Sequence, residues 1–238
     1  PVAPPPPPPA PGLTFYIAPT GSDTNPGTSA LPWRTWAFAL AQMDPGETLL
    51  VKNGIFNAAS GSGFPNINCA SGYKKGTAAQ PITIRAENER GAQIFNDGAA
   101  GANLFRIANC AYWTIEGLHL RQRDHDDGSR NGNGALLIAS ASNNLTIRKN
   151  LIRGADRYEC DSSLILSNTH NSLVEENEVY EYHRHGIQVQ SYGGNNIIRR
   201  NYVNSRGLPD AFGGSSPCVT VDQGQGDHGI TAYSGHDT

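Results

Sequence analysis

Charge is scarce in this sequence. Of 238 residues only 16% are Asp, Glu, Lys or Arg, and the formal net charge is −3. No basic stripe runs along the chain, so a dedicated nucleic-acid partner is not expected. Long apolar runs are missing too. None approaches the ~20 residues of a membrane-spanning helix, so no membrane span is expected. A charged-then-apolar leader is also absent, so a secreted form would already have lost it. Lysine is rare, standing only at Lys52, Lys74, Lys75 and Lys149. The four cysteines, Cys69, Cys110, Cys160 and Cys218, never take C-x-x-C spacing, which argues against a zinc cluster. Their even number suits two disulfides in an oxidising compartment. The expected pairs are Cys69–Cys110 and Cys160–Cys218, since the second two both lie just before strands of one family. Four free buried thiols are the alternative.

Glycine, proline and asparagine are abundant instead. Residues 1–12, PVAPPPPPPAPG, cannot form a helix or a sheet interior, because proline lacks the N–H donor and fixes φ. This stretch reads as an extended linker, followed by a single domain over 13–238. Such tethers suit secreted or cell-surface proteins. The domain opens with a strand at Phe15–Ala18, a turn cluster at Gly21–Thr28 and a helical pattern from Trp33 to Met43. Trp36, Leu40 and Met43 share one helical face. Asp44-Pro45-Gly46 stops that helix, and Thr48–Val51 is again a strand.

The phrases Tyr16–Asp23, Asn25–Thr28, Pro32–Thr35, Pro45–Thr48 and Val51–Gly54 carry a resemblance. Over about forty residues the segment resembles the N-terminal cap of secreted, right-handed parallel β-helix proteins of the pectin-lyase-like superfamily. The resemblance implies an all-β solenoid with a short capping helix, not a particular activity. Its helix would cover the open end of the core.

Repeats support that fold. Leu145–Asn150, Ser172–Asn177 and Asn196–Asn201 align on their final asparagines, 27 and 24 residues apart. Ile152, Val179 and Val203 stand two positions after these anchors. Tyr112–Gly117 is a fainter copy, with Gly117 in the asparagine position. A second strand family interleaves: Leu104–Ile107, Leu136–Ile138, Leu164–Leu166, Gly186–Val189 and Val219–Val221. Each rung therefore holds at least two short strands, which suits a parallel solenoid. Asn150, Asn177 and Asn201 are expected to form a structural ladder at a rung corner, where asparagine tolerates the left-handed backbone. The alignment also stacks Arg148, Glu175 and Arg199 on successive rungs, a solvated salt-bridge ladder.

In the resembled superfamily the substrate lies along one sheet. With Leu136, Leu164 and Ile187 taken as inward, the outward set of the second family is Ala139, Ser167, Gln188, Gln190, Thr220 and Asp222, together with Leu137 and Ile165. Glu159-Cys160-Asp161 and His183-Arg184-His185 precede those strands. A lyase acting on a uronate polymer needs a cation to neutralise the carboxylate and a base to take the α-proton. Arg184 is the candidate cation, and His183 or His185 the candidate base. Gln188, Gln190, Asp222 and Asp161 are candidate substrate contacts. Asp124, Asp126 and Asp127 crowd one loop, a candidate Ca²⁺ site outside EF-hand spacing. No organic cofactor is expected. Ser163–Thr169 resembles a stretch of alginate and chondroitin lyases, with Thr169 where their lysine stands. Arg184-His185-Gly186 resembles their arginine motif but precedes its strand.

The resulting expectation is a secreted, monomeric β-helix acting on an acidic polysaccharide by β-elimination. A non-catalytic carbohydrate-binding or adhesion solenoid is the first rival. A glycoside hydrolase using Asp161 and Asp222 is the second. The last residues read as the start of a further rung without a cap, so a fragment, a processed form or a chain whose cap lies in another segment is expected.

Overall fold

The computed structural model describes residues 12–96, 103–122, 136–154, 162–180, 182, 185–204 and 228–232. These form a right-handed parallel β-helix. Each turn of the coil lays one short strand in each of three parallel sheets. The first sheet has seven strands: Thr14–Ile17, Thr48–Val51, Ile82–Ala86, Trp113–Glu116, Thr146–Arg148, Leu173–Glu175 and Ile197–Arg199. The second sheet has six: Gly54–Phe56, Ala92–Asn96, His119–Gln122, Leu151–Arg153, Glu178–Tyr180 and Tyr202–Asn204. The third also has six: Asn66–Asn68, Phe105–Ala108, Leu137–Ser140, Leu164–Ser167, His185–Gln190 and His228–Ala232.

Three strands per rung, not two, follow from strand length. A three-residue strand such as Leu151–Arg153 has one central inward residue, Ile152, too little for a visible period of two. Ile152, Val179 and Val203, two positions after the ladder asparagines, are those inward positions of the second sheet. The core is a stack of like residues. Ile84, Ile115, Ile147 and Val174 line up in the first sheet, and Ile94, Leu120, Ile152 and Val179 in the second, all fully buried.

The opening unit is a cap. The helix spans Trp36–Gln42, starting later than the sequence pattern because Thr35 is its N-cap and accepts from Phe38 N–H at 3.2 Å. Asp23 fixes that corner by accepting from the Arg34 and Thr35 N–H groups and the Thr35 hydroxyl, at 3.0, 2.9 and 2.7 Å. Burial raises the Asp23 carboxyl, but these hydrogen bonds outweigh it and hold its pKa below the ordinary value. Trp36, Leu40 and Met43 are buried together, as their spacing requires.

The asparagine ladder is present, with a different division of labour at the corner. Asn177 Nδ2 donates to Asn201 Oδ1 at 3.0 Å and to the Ile147 carbonyl at 2.9 Å. Its Oδ1 accepts from Asn150 Nδ2 and from Asn150 N–H, at 3.0 and 3.1 Å. The left-handed backbone belongs to the residue before each asparagine: Lys149, Glu176 and Arg200, with φ of 57°, 56° and 55°. The asparagines themselves turn inward. The fainter copy is one residue out of the sequence alignment. Ile115 pairs with Ile147 and Glu116 with Arg148, so Gly117 matches Lys149 and Leu118 replaces the asparagine. Leu118 ends the ladder by donating its N–H to Asn150 Oδ1 at 3.0 Å.

Candidate groove on the third sheet

Two outward rows run along the third sheet. One reads Asn66, Arg106, Ile138, Ile165, Gln188 and Thr231; the other reads Asn68, Ala108, Ser140, Ser167 and Gln190. The sequence expectation was off by one residue in the middle rung. Leu137, not Leu136, pairs with Leu164, and Leu137 and Ala139 face the core at 0% exposure. Ile138 and Ser140 face outward in their place. Four aliphatic residues in succession, Ala135 to Ile138, conceal which of them points inward. Ser167, Gln188, Gln190 and Ile165 stand outward as expected.

These rows offer polar groups at rung spacing, ~4.8 Å between neighbouring strands. The Ser140 and Ser167 hydroxyls and the Gln190 amide make no side-chain hydrogen bond among the described residues. Gln188 is more deeply set and accepts from the Ser162 hydroxyl at 2.8 Å. At the N-terminal end Arg106 is exposed, and its guanidinium makes no ion pair or hydrogen bond among the described residues. Arg106 was not among the expected outward residues, and the register shows that it continues the line of Ile138, Ile165 and Gln188.

His185 begins the strand that carries Gln188 and Gln190. It is buried, with Nδ1 3.0 Å from the Thr231 hydroxyl, so its ring meets protein. His183, Arg184, Asp161, Asp222, Asp124, Asp126 and Asp127 lie outside the described residues. All occur in chain segments that leave a second-sheet strand and precede a third-sheet strand. The strand paired to His185–Gln190 is His228–Ala232, whereas the sequence pattern placed that rung at Val219–Val221, also outside the described residues. Among the described residues no three His, Cys, Asp or Glu side chains converge as metal ligands. Thr169 is fully buried and donates to the Ala139 carbonyl at 3.1 Å, so this position presents nothing to a substrate.

On the other two faces several charged side chains pair with one another. On the first sheet Arg148 pairs with Glu116 at 2.9 Å, and Arg199 and Arg200 reach Glu175 at 2.9 and 2.6 Å. The Arg199 hydrogen bond, supported by the charge of Arg200, holds the Glu175 carboxyl below its ordinary range. On the second sheet Arg90 reaches Glu178 at 2.5 Å. Burial, then the charges of Arg121, Arg153 and Arg90, push the His119 pKa down to about 4, so this imidazole stays neutral. Cys69 and Cys110 form the expected disulfide, while Cys160 and Cys218 lie outside the described residues.

The family model for the Pel9A-like, right-handed β-helix region matches residues 15–206. The chain belongs to this family. The crystal structure of pectate lyase Pel9A superposes with a TM-score of 0.58 at 16% identity, covering 85% of this chain and 56% of that one. At that identity the likeness concerns the fold. A lacto-N-biosidase from Eubacterium ramulus is also similar, with a TM-score of 0.48 and 16% identity, over 74% of this chain and 43% of its own. In sequence, the uncharacterised protein YwoF of Bacillus subtilis (strain 168) is 27% identical over 147 residues, 60% of this chain and 29% of that protein. The Pel9A-like chain thus spans little more than half of the pectate lyase and under a third of YwoF. No described helix is long and apolar enough to cross a membrane.

Proposed function

We propose that this chain is a secreted or cell-surface β-helix that binds an acidic, uronate-containing polysaccharide along the third sheet and cleaves it by β-elimination. The observation that carries this reading is the outward strip from Arg106 through Ser140 and Ser167 to Gln188 and Gln190. An extended polymer meets a cation at one end and a hydrogen-bonding group at each following rung. Arg106 would pair with a substrate carboxylate, and a guanidinium suits that task through its two-pronged geometry. Ser140, Ser167 and Gln190 would hold sugar hydroxyls. In the elimination, a base takes the proton α to the carboxylate, the electron pair forms the C4–C5 double bond, and the glycosidic oxygen leaves. A cation on the carboxylate makes that proton acidic. Arg184 is assigned to this neutralisation and His183 to the base. His185 supports its own strand through the Thr231 hydroxyl. Family membership and the pectate lyase fold support the reaction class. The disulfide supports an oxidising compartment.

The test is ultraviolet absorbance of the unsaturated product from pectate, alginate and chondroitin, with and without Ca²⁺. A rise that falls at least about tenfold in Arg184→Ala and in Arg106→Ala supports the reading. Dependence on Ca²⁺ that is lost in Asp124→Asn or Asp126→Asn/Asp127→Asn would assign the metal to that loop. No product on any polymer, with binding retained, would establish the carbohydrate-binding solenoid instead. New reducing ends that appear without the ultraviolet-absorbing unsaturated non-reducing end would point to hydrolysis, with Asp161 and Asp222 as its carboxylates.

A further inference from the structure

A second concavity lies on the opposite side of the coil, at the corner where the first sheet passes into the second. It has a volume of about 220 Å³, with Leu50, Ala86 and Gly117 at its floor. Its origin is local. Successive rungs place small residues, Ala86 and Gly117, at a corner that Lys149 fills on the next rung. Gly117 adopts φ of 72°, and a Cβ there would sit 3.5 Å from that of Ala86.

Three glutamates line the rim, and each already has a cation. Glu87 pairs with Lys52 at 3.5 Å, Glu89 with Arg90 at 3.7 Å and Glu116 with Arg148 at 2.9 Å. The two remaining charged lining residues, Arg85 and Lys149, make no ion pair and no side-chain hydrogen bond among the described residues. Both are cations. We propose that this hollow binds a small, hydroxylated monocarboxylate of the size of a single uronic acid.

Each part of that assignment follows from the lining. Arg85 and Lys149 supply two donors for one carboxylate. The volume lies below the ~300–1,000 Å³ typical of sites for drug-sized ligands, which limits the occupant to about one ring. Three nearby carboxylates disfavour a second negative charge, so sulfate and phosphate fit less well than a carboxylate. The same carboxylate oxygens accept from hydroxyls, and Leu50 and Ala86 offer an apolar floor to a ring face. The hollow is on the first sheet and the proposed groove on the third, so the two readings fail independently.

Chemical-shift mapping on the wild-type protein tests this, using galacturonate and glucuronate as probes with galactose and sulfate as comparators. Saturable shifts at Ala86, Gly117 and Lys149 with the uronates, absent with galactose and at least about tenfold weaker with sulfate, are expected. Arg85→Gln/Lys149→Gln should weaken the uronate-induced shifts at Ala86 and Gly117 at least about tenfold. No saturable shift at these residues, equal binding of galactose or sulfate, or undiminished binding in the double variant overturns the proposal. The wild-type map decides the location even if the double variant does not fold.

Discussion

Replacing Asn177 with alanine should be far more damaging than the same change at Asn201. Asn177 is fully buried and uses its side chain four times, toward Asn150 N–H, Asn150 Nδ2, the Ile147 carbonyl and Asn201 Oδ1. Alanine removes all four bonds and leaves the buried Asn150 N–H without its acceptor. The stranded buried N–H costs about 1–3 kcal/mol and each of the three other lost bonds about 0.5–1.5 kcal/mol, so the expected loss is about 2.5–7.5 kcal/mol. That is a large share of the ~5–15 kcal/mol of a typical domain. Asn201 also has four bonds, but it sits on the last rung of the ladder and is only partly buried. Water replaces much of what Asn201→Ala loses, and the cost should be about 1–2 kcal/mol. Urea unfolding followed by circular dichroism gives both midpoints. Equal losses at the two positions, or a loss under about 1 kcal/mol at Asn177, would refute the ladder as a buried, fully satisfied network.

Other consequences are open to measurement. Reducing the Cys69–Cys110 bridge, or Cys69→Ser/Cys110→Ser, should cost about 4 kcal/mol, from the chain entropy of a loop of 41 residues, read as a lower urea midpoint. His119 is neutral in the folded protein and titrates there near 4, below its unfolded value. Stability should therefore fall as pH drops from about 6.5 toward 4, and His119→Gln should flatten that slope in thermal melts. The depressed Glu175 carboxyl has the acid-side sign. Its contribution is present above the unfolded carboxylate pKa and fades as pH falls through the folded value, an effect that Arg199→Ala should reduce.

Much of the architecture was legible because a solenoid repeats its reasons. A buried amide that bonds to its own copy leaves the same residue at each rung, so Asn150, Asn177 and Asn201 announce the coil. The cap was legible because Trp36, Leu40 and Met43 keep a helical period. The later rungs of the second sheet were not, since a three-residue strand with a single central inward residue has no period. The register of Leu136–Ile138 was lost for the opposite reason, too many aliphatic residues in succession. Leu118 hid the first rung of the ladder by closing it with an apolar side chain. The site was harder still. Gln188 and Gln190 could be placed outward from their alternation with Ile187 and Val189. Arg106 gains meaning only from its neighbours on other rungs, which are 32 and 59 residues away at Ile138 and Ile165. The uncommitted cations Arg85 and Lys149 are apparent only once the partners of Glu87, Glu89 and Glu116 are known.

Affinity electrophoresis tests the central claim most directly, because it reads polymer binding whether or not the chain is cut. Native gels containing polygalacturonate should retard the wild-type protein, and Arg106→Glu should abolish the retardation without lowering the melting temperature. Unchanged retardation of Arg106→Glu, or none for the wild type on any uronate polymer, would contradict the assignment of the third sheet as the binding face.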